Sequence, residues 1–170
     1  RSVDLPASVI MGGARKKVKA YASTFPNMGG PEVYAEHALE AKRQGYKAYK
    51  VHAYICWDPY TWEPAPQQPG FPKEDVEICR AVREAVGDDM VLMLDPFGVY
   101  TLEESIWVGR EIEKLDYYWL EHPMIETRSE AYRRLTEAVD IPILAAIPQD
   151  DDLRKKSANY QIVGSPKTLW

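Results

Sequence analysis

The chain has 170 residues, 21 Lys and Arg against 26 Asp and Glu, and a formal net charge of −5. Its 45% hydrophobic and 28% charged content is that of a globular domain and excludes intrinsic disorder. The mild acidity without any basic block argues against nucleic acid as a partner. No apolar run reaches the roughly 18 residues of a membrane helix. Cys56 and Cys79 form neither a CxxC nor a disulfide framework, so the expected compartment is the reducing cytoplasm.

Short β-rich runs alternate with amphipathic runs along the chain. Residues 18–22 read as the first strand. Gly29-Gly-Pro31 opens a helix, with Pro suited to its first turn, carrying Tyr34, Ala38, Leu39 and Ala41 and stopping at Gly45. Residues 48–54 are the second strand. Residues 55–72 hold Pro59, Pro64, Pro66, Pro69 and Pro72 among Trp57, Tyr60, Trp62 and Phe71. They read as a long aromatic loop, either a lid over a pocket or a surface loop packed on itself. Val76, Cys79, Val82 and Val86 mark a second helix that stops at Gly87.

Residues 90–94 are the third strand, apolar almost throughout, as a strand buried on both faces should be. Thr101 and Glu104 match a capping box ahead of a helix with Ile112 and Leu115. Residues 117–120 are the fourth strand. Thr127 and Glu130 suggest another capping box, followed by Tyr132, Leu135 and Val139. Residues 141–146 are the fifth strand. The remainder is polar, with one short strand expected at 161–163. Alternating strands and helices imply βαβ units and a parallel sheet.

In such folds ligands bind at the carboxyl ends of the strands. Lys50 and His52 lie two apart on the second strand and share a face. Asp95 closes the third strand and Glu121 the fourth, 26 residues apart (121 − 95). One βα unit of that length brings both carboxylates to the same rim. Close carboxylates repel unless a proton or a cation sits between them, and oxygen ligands on a rigid rim suit Mg²⁺. Bland readings stand beside this one: strand-end acids often cap loops, Lys50 can pair with Asp95 as a plain salt bridge, and His52 can be a satisfied core histidine. His37 reads as a surface residue. His122 should point away from Glu121 if the strand continues.

These motifs carry a resemblance. Lys50-Val-His52, Leu94-Asp95 and Trp119-Leu-Glu121-His-Pro123 resemble the barrel domain of the enolase superfamily, in its mandelate racemase-like and acid-sugar dehydratase-like branch. Met11-Gly-Gly-Ala-Arg15 resembles the junction between that family's capping domain and its barrel. The similarity runs from about residue 11 to residue 146. It implies an α/β fold, a (β/α)-type barrel, here partial. About five parallel strands and four helices are expected, without the capping domain or the last barrel units. It divides the chain into a linker (1–17), a partial barrel (18–147) and a divergent tail (148–170).

The resemblance also implies removal of the proton α to a substrate carboxylate, with Mg²⁺ stabilising the enediolate. By position Asp95 and Glu121 become metal ligands, His52 the base, and Lys50 the cation that steadies the carboxylate. The implied partner is a small sugar acid, and the implied enzyme a lyase or isomerase, acting as a homo-oligomer. Two departures matter. The family usually has Lys where His52 stands. The third acid should fall near residue 147 (121 + 26), which is Ile and cannot ligate a cation. The competing expectation is therefore a non-catalytic barrel fragment without metal affinity.

Overall fold

A computed structural model describes residues 4–10, 12–13, 17, 19–56, 69–125, 129–145 and 161–162. Most of the loop at 55–72, Thr127, most of the 11–15 motif, Ile147 and most of the tail lie outside these residues. A four-residue helix, α1 (Ala7–Ile10), occupies part of the stretch expected to be a linker. The order is then β1 (Ala22–Ser23), α2 (Pro31–Arg43), β2 (Ala48–Val51), α3 (Pro72–Val86), β3 (Val91–Leu94), α4 (Leu102–Glu113), β4 (Tyr117–Glu121), α5 (Ser129–Ala138), β5 (Ile143–Ala145) and β6 (Gln161–Ile162). The strands line up in sequence order. β1 to β5 run parallel, and β6 pairs antiparallel with β5.

The expected alternation holds, with shorter strands. β1 sits later than 18–22 and spans two residues. β2 ends at Val51, because the chain beyond it is pinned by side chains rather than by a neighbouring strand. Helix signals match the sequence closely. Pro31 and Pro72 each stand in the first turn of a helix. The Thr101–Glu104 capping box is complete in both directions, satisfying two orphan N–H groups. Gly87 ends α3 with φ 73°, a conformation in which a Cβ is costly.

Alternation along the strands sorts the side chains into two sets. Tyr49, Val51, Leu92, Leu94, Leu120, Ile143 and Ala145 join the core shared with the helices. Ala48, Met93 and Trp119 form a second cluster on the other face, with Leu144 packed on it. The period breaks once, in β4. Leu92 pairs with Tyr117 but Met93 pairs with Trp119, so Tyr118 is an extra residue. This bulge puts Tyr117 and Leu120 both into the helix-side core. It also brings Glu121 to the inner face just past the Leu94–Leu120 pair.

The amino-terminal ends of the strands are tied by Arg83, near the end of α3. Its guanidinium donates to the carbonyls of Leu115 (2.8 Å), Gly87 (2.6 Å), Met90 (3.0 Å) and Asp116 (2.9 Å). A buried cation is tolerated because several donors are met by fixed oxygens.

Candidate active site

Lys50 and His52, two apart along the run that begins as β2, face away from the helices. Asp95 and Glu121 face the same way, as the residues that close β3 and β4. All four are buried, between 3% and 7% exposed. The Lys50 ammonium lies between the two acids, 3.1 Å from Asp95 Oδ2 and 2.9 Å from Glu121 Oε2. His52 Nε2 lies 3.0 Å from the same Asp95 oxygen. Trp119 Nε1 donates to Glu121 Oε2 at 3.1 Å. The structure thus brings together all four residues that the strand-end pattern singled out, and Lys50 bridges both acids rather than pairing with one.

The electrostatics follow from this packing. Burial pushes the Asp95 carboxyl up, but the hydrogen bond from His52 and the charge of Lys50 outweigh it and hold it below the usual carboxylate range. Burial pulls the Lys50 ammonium down, yet Asp95 and Glu121 raise it above its ordinary value. Each charge is kept by its partners rather than by solvent.

His52 is oriented from behind. Its Nδ1 lies 2.7 Å from the Thr24 carbonyl. A carbonyl only accepts, so Nδ1 carries a proton there; the Asp95 carboxylate also only accepts, so the bond at Nε2 needs a proton on that nitrogen too, and the imidazolium makes both bonds together. The main chain of His52 is held as well. Its N–H donates to Thr24 Oγ1 at 2.7 Å, and its carbonyl accepts from Tyr34 Oη at 2.9 Å. Three residues on, Asn27 acts as a main-chain mimic: Ile55 N donates to its Oδ1 at 2.8 Å and its Nδ2 donates to Ile55 O at 2.7 Å. Thr24 and Asn27 escaped the sequence reading, and Tyr34 entered it only as a residue of the first long helix. The only signal was the Pro26-Asn27 turn pattern before a helix.

Of the two other histidines, one differs from expectation. His37 is exposed as expected, and its Nδ1 lies 2.9 Å from the hydroxyl of buried Tyr49. His122 does not point away from the acids. Its φ of 41° turns the chain at the strand end. One ring nitrogen of His122 then lies within 4.8 Å of a carboxylate oxygen from each of Asp95 and Glu121, which are within that distance of each other. The apolar rim is marked by Phe97, whose ring packs on His52 with centroids 4.8 Å apart. A cavity of about 510 Å³, lined by Lys19, Lys47, Ala48 and Val91 among others, opens instead at the amino ends of β2 and β3. It lies at the opposite end of these strands from the converging acids.

Residues 33–146 match the family described as Enolase C-terminal domain-like. The chain belongs to this family. The match stops one residue short of Ile147. Among curated members, arabinonate dehydratase of Saccharolobus solfataricus is 28% identical over 140 residues, which are 81% of this chain and 34% of that protein. The crystal structure of D-glucarate dehydratase from Agrobacterium tumefaciens, complexed with magnesium, superposes with a TM-score of 0.70 at 36% identity, over 81% of this chain and 35% of that one. The chain therefore spans about a third of the length of these enolase-type relatives. A shorter match of another kind is 68% identical over 38 residues to the chlorophyllide reductase 35.5 kDa chain of Cereibacter sphaeroides. It covers 22% of this chain and 11% of that protein, too little to assign a second family. No helix among the described residues is long and apolar enough to cross a membrane.

The donor set suits the metal that the family implies. Two buried carboxylates converge, and a positive charge already stands between them, supplied by Lys50. Hard oxygen donors with two negative charges are what a small divalent cation requires.

Proposed function

We propose that this chain carries the proton-abstracting half of an enolase-type site, removing the proton α to the carboxylate of a sugar acid in the manner of a dehydratase or racemase. The observation that supports it is the convergence of Lys50, His52, Asp95 and Glu121, linked by contacts of 2.9–3.1 Å. Asp95 and Glu121 would hold Mg²⁺. Bound there, the ion supplies positive charge against the anion left by proton removal. Lys50 keeps its ammonium charged in a buried site and steadies the substrate carboxylate. His52 acts as a base in its neutral form: Nε2 parts from Asp95, releases its own proton to water and then takes the substrate proton, while the Thr24 carbonyl keeps Nδ1 protonated. The Phe97 ring limits water around His52. In this reading residues 18–147 form the barrel segment, acting on a small dissolved acid as a homo-oligomer.

The test is hydrogen–deuterium exchange at the α-carbon, followed by NMR in D₂O. The 170-residue chain is mixed with Mg²⁺ and a panel of aldonic and aldaric acids. At least one acid should exchange, and His52→Ala should abolish the exchange while Mg²⁺ still binds. No exchange with any acid would remove catalysis from this chain. The second reading, a non-catalytic barrel fragment without metal affinity, is favoured by Ile147, which stands where the family pattern calls for a third acid. Calorimetry with Mg²⁺ separates the two, since that fragment gives no binding heat.

A further inference from the structure

His122 owes its place beside the acids to an unusual backbone. In a continuing strand, residues 121 and 122 point to opposite faces. His122 instead adopts φ 41°, in the left-handed region that is unfavourable for a non-glycine residue. Two main-chain bonds hold it there. Its N–H donates to Leu144 O at 2.8 Å on β5, and its carbonyl accepts from Gly98 N at 2.5 Å in the loop after β3. That loop is itself pinned to the next one by the Val99–Met124 bridge. Both neighbouring units therefore impose the strained turn, and strain fixed in this way concentrates at functional sites.

The turn delivers an imidazole nitrogen to the two carboxylates, with all three donor atoms within 4.8 Å of one another. Donors sharing one cation at about 2.0–2.2 Å stand at most about 4.4 Å apart, so small side-chain adjustments close the trio. At residue 147, where strand spacing calls for a third acid, the chain has Ile.

We infer that His122 is the third protein donor of the metal site, and that its nitrogen shifts the site's preference from Mg²⁺ toward first-row transition ions such as Mn²⁺ and Zn²⁺. This rests on the reading that Asp95 and Glu121 hold a metal. An all-oxygen set suits Mg²⁺, whereas imidazole favours transition ions.

The experiment uses the whole 170-residue chain titrated with Mn²⁺ and read by pulsed EPR. Bound Mn²⁺ should show coupling to one histidine nitrogen. The coupling should vanish in His122→Asn, since Asn tolerates a positive φ and offers an oxygen, and should persist in His52→Ala. The same His122→Asn change should lower the ratio of Mn²⁺ to Mg²⁺ affinity by about tenfold or more. Mn²⁺ bound without nitrogen coupling, or coupling lost in His52→Ala instead, overturns the role of His122 and leaves the two-acid reading standing. No bound Mn²⁺ in the unaltered chain overturns both. Should His122→Asn fail to fold, His52→Ala decides alone: coupling retained supports the assignment, and coupling lost refutes it.

Discussion

Asp75 and Asp95 are both deeply buried, at 1% and 3% exposed, yet their surroundings push them in opposite directions. Asp95 ends β3 beside Lys50 and His52 and is held below the usual range. Asp75 sits in the first turn of α3 without a cation against it among the described residues. Burial pushes it up to about 6, against hydrogen bonds from the Tyr100 hydroxyl and Tyr54 N–H. The difference teaches that partner charge, not depth, decides what a buried acid does. The Asp95 region concentrates charge for chemistry, while the Asp75 region joins the loops after β2 and β3 at the cost of a carboxylate in a poor solvent.

The sharpest way to break this contrast is Lys50→Met. It leaves Asp95 and Glu121 facing each other without the ammonium, and removing one partner of a buried pair costs about 3–5 kcal/mol. Urea denaturation without divalent cations should show that loss. Stability unchanged within error would mean that the acids do not depend on Lys50.

Asp75→Asn probes the other pole. The folded chain holds the Asp75 proton up to about pH 6, against an ordinary value of 3.8. The folded state thus binds more protons than the unfolded state between these values, and stability falls as pH rises through the window. The span corresponds to about 3 kcal/mol. The substitution should flatten that fall in denaturation series run between pH 3.5 and 7 (~0.5 unit steps, matched to the titration window). Asp95 has the opposite sign: its lowered value gives stability present above 3.8 and lost as pH falls through the folded value. A slope unchanged in Asp75→Asn would assign the window to other groups.

Asn27→Ala sharpens the comparison, because Asn27 and Asp75 hold adjacent residues of one loop, Ile55 and Tyr54. Losing both bonds leaves main-chain groups unsatisfied, for about 2 kcal/mol. Amide exchange at Ile55 should accelerate, and unchanged protection there would refute the clamp. The smallest effect belongs to Thr101→Ala, which removes the cap next to Tyr100 and should cost about 1 kcal/mol in thermal denaturation. Equal stability of the two chains would show that the cap is dispensable.

The helices and the four inward polar residues were legible in the sequence because each rests on a local rule: a capping box, a proline in a first turn, an acid directly after an apolar run. What escaped depended on relations between distant residues. The Tyr118 bulge exists only as a mismatch between β3 and β4. The turn at His122 is imposed by Leu144 and Gly98, so strict alternation put its ring on the wrong side. Thr24 and Tyr34 touch His52 across 28 and 18 residues, with no periodic signal to announce them. The first strand was placed too early because 18–22 is apolar enough to pass for one, while pairing with β2 begins only at Ala22.

Among the described residues, Arg83 addresses main-chain oxygens alone, those of Leu115, Gly87, Met90 and Asp116. These bonds make no demand on the side chains at the four positions, although Gly87 is restricted by its positive φ and Met90 by its burial, whereas the guanidinium has no substitute of the same reach and fork. Tolerance to mutation at this end of the sheet should be uneven, with the arginine the least replaceable of the five residues.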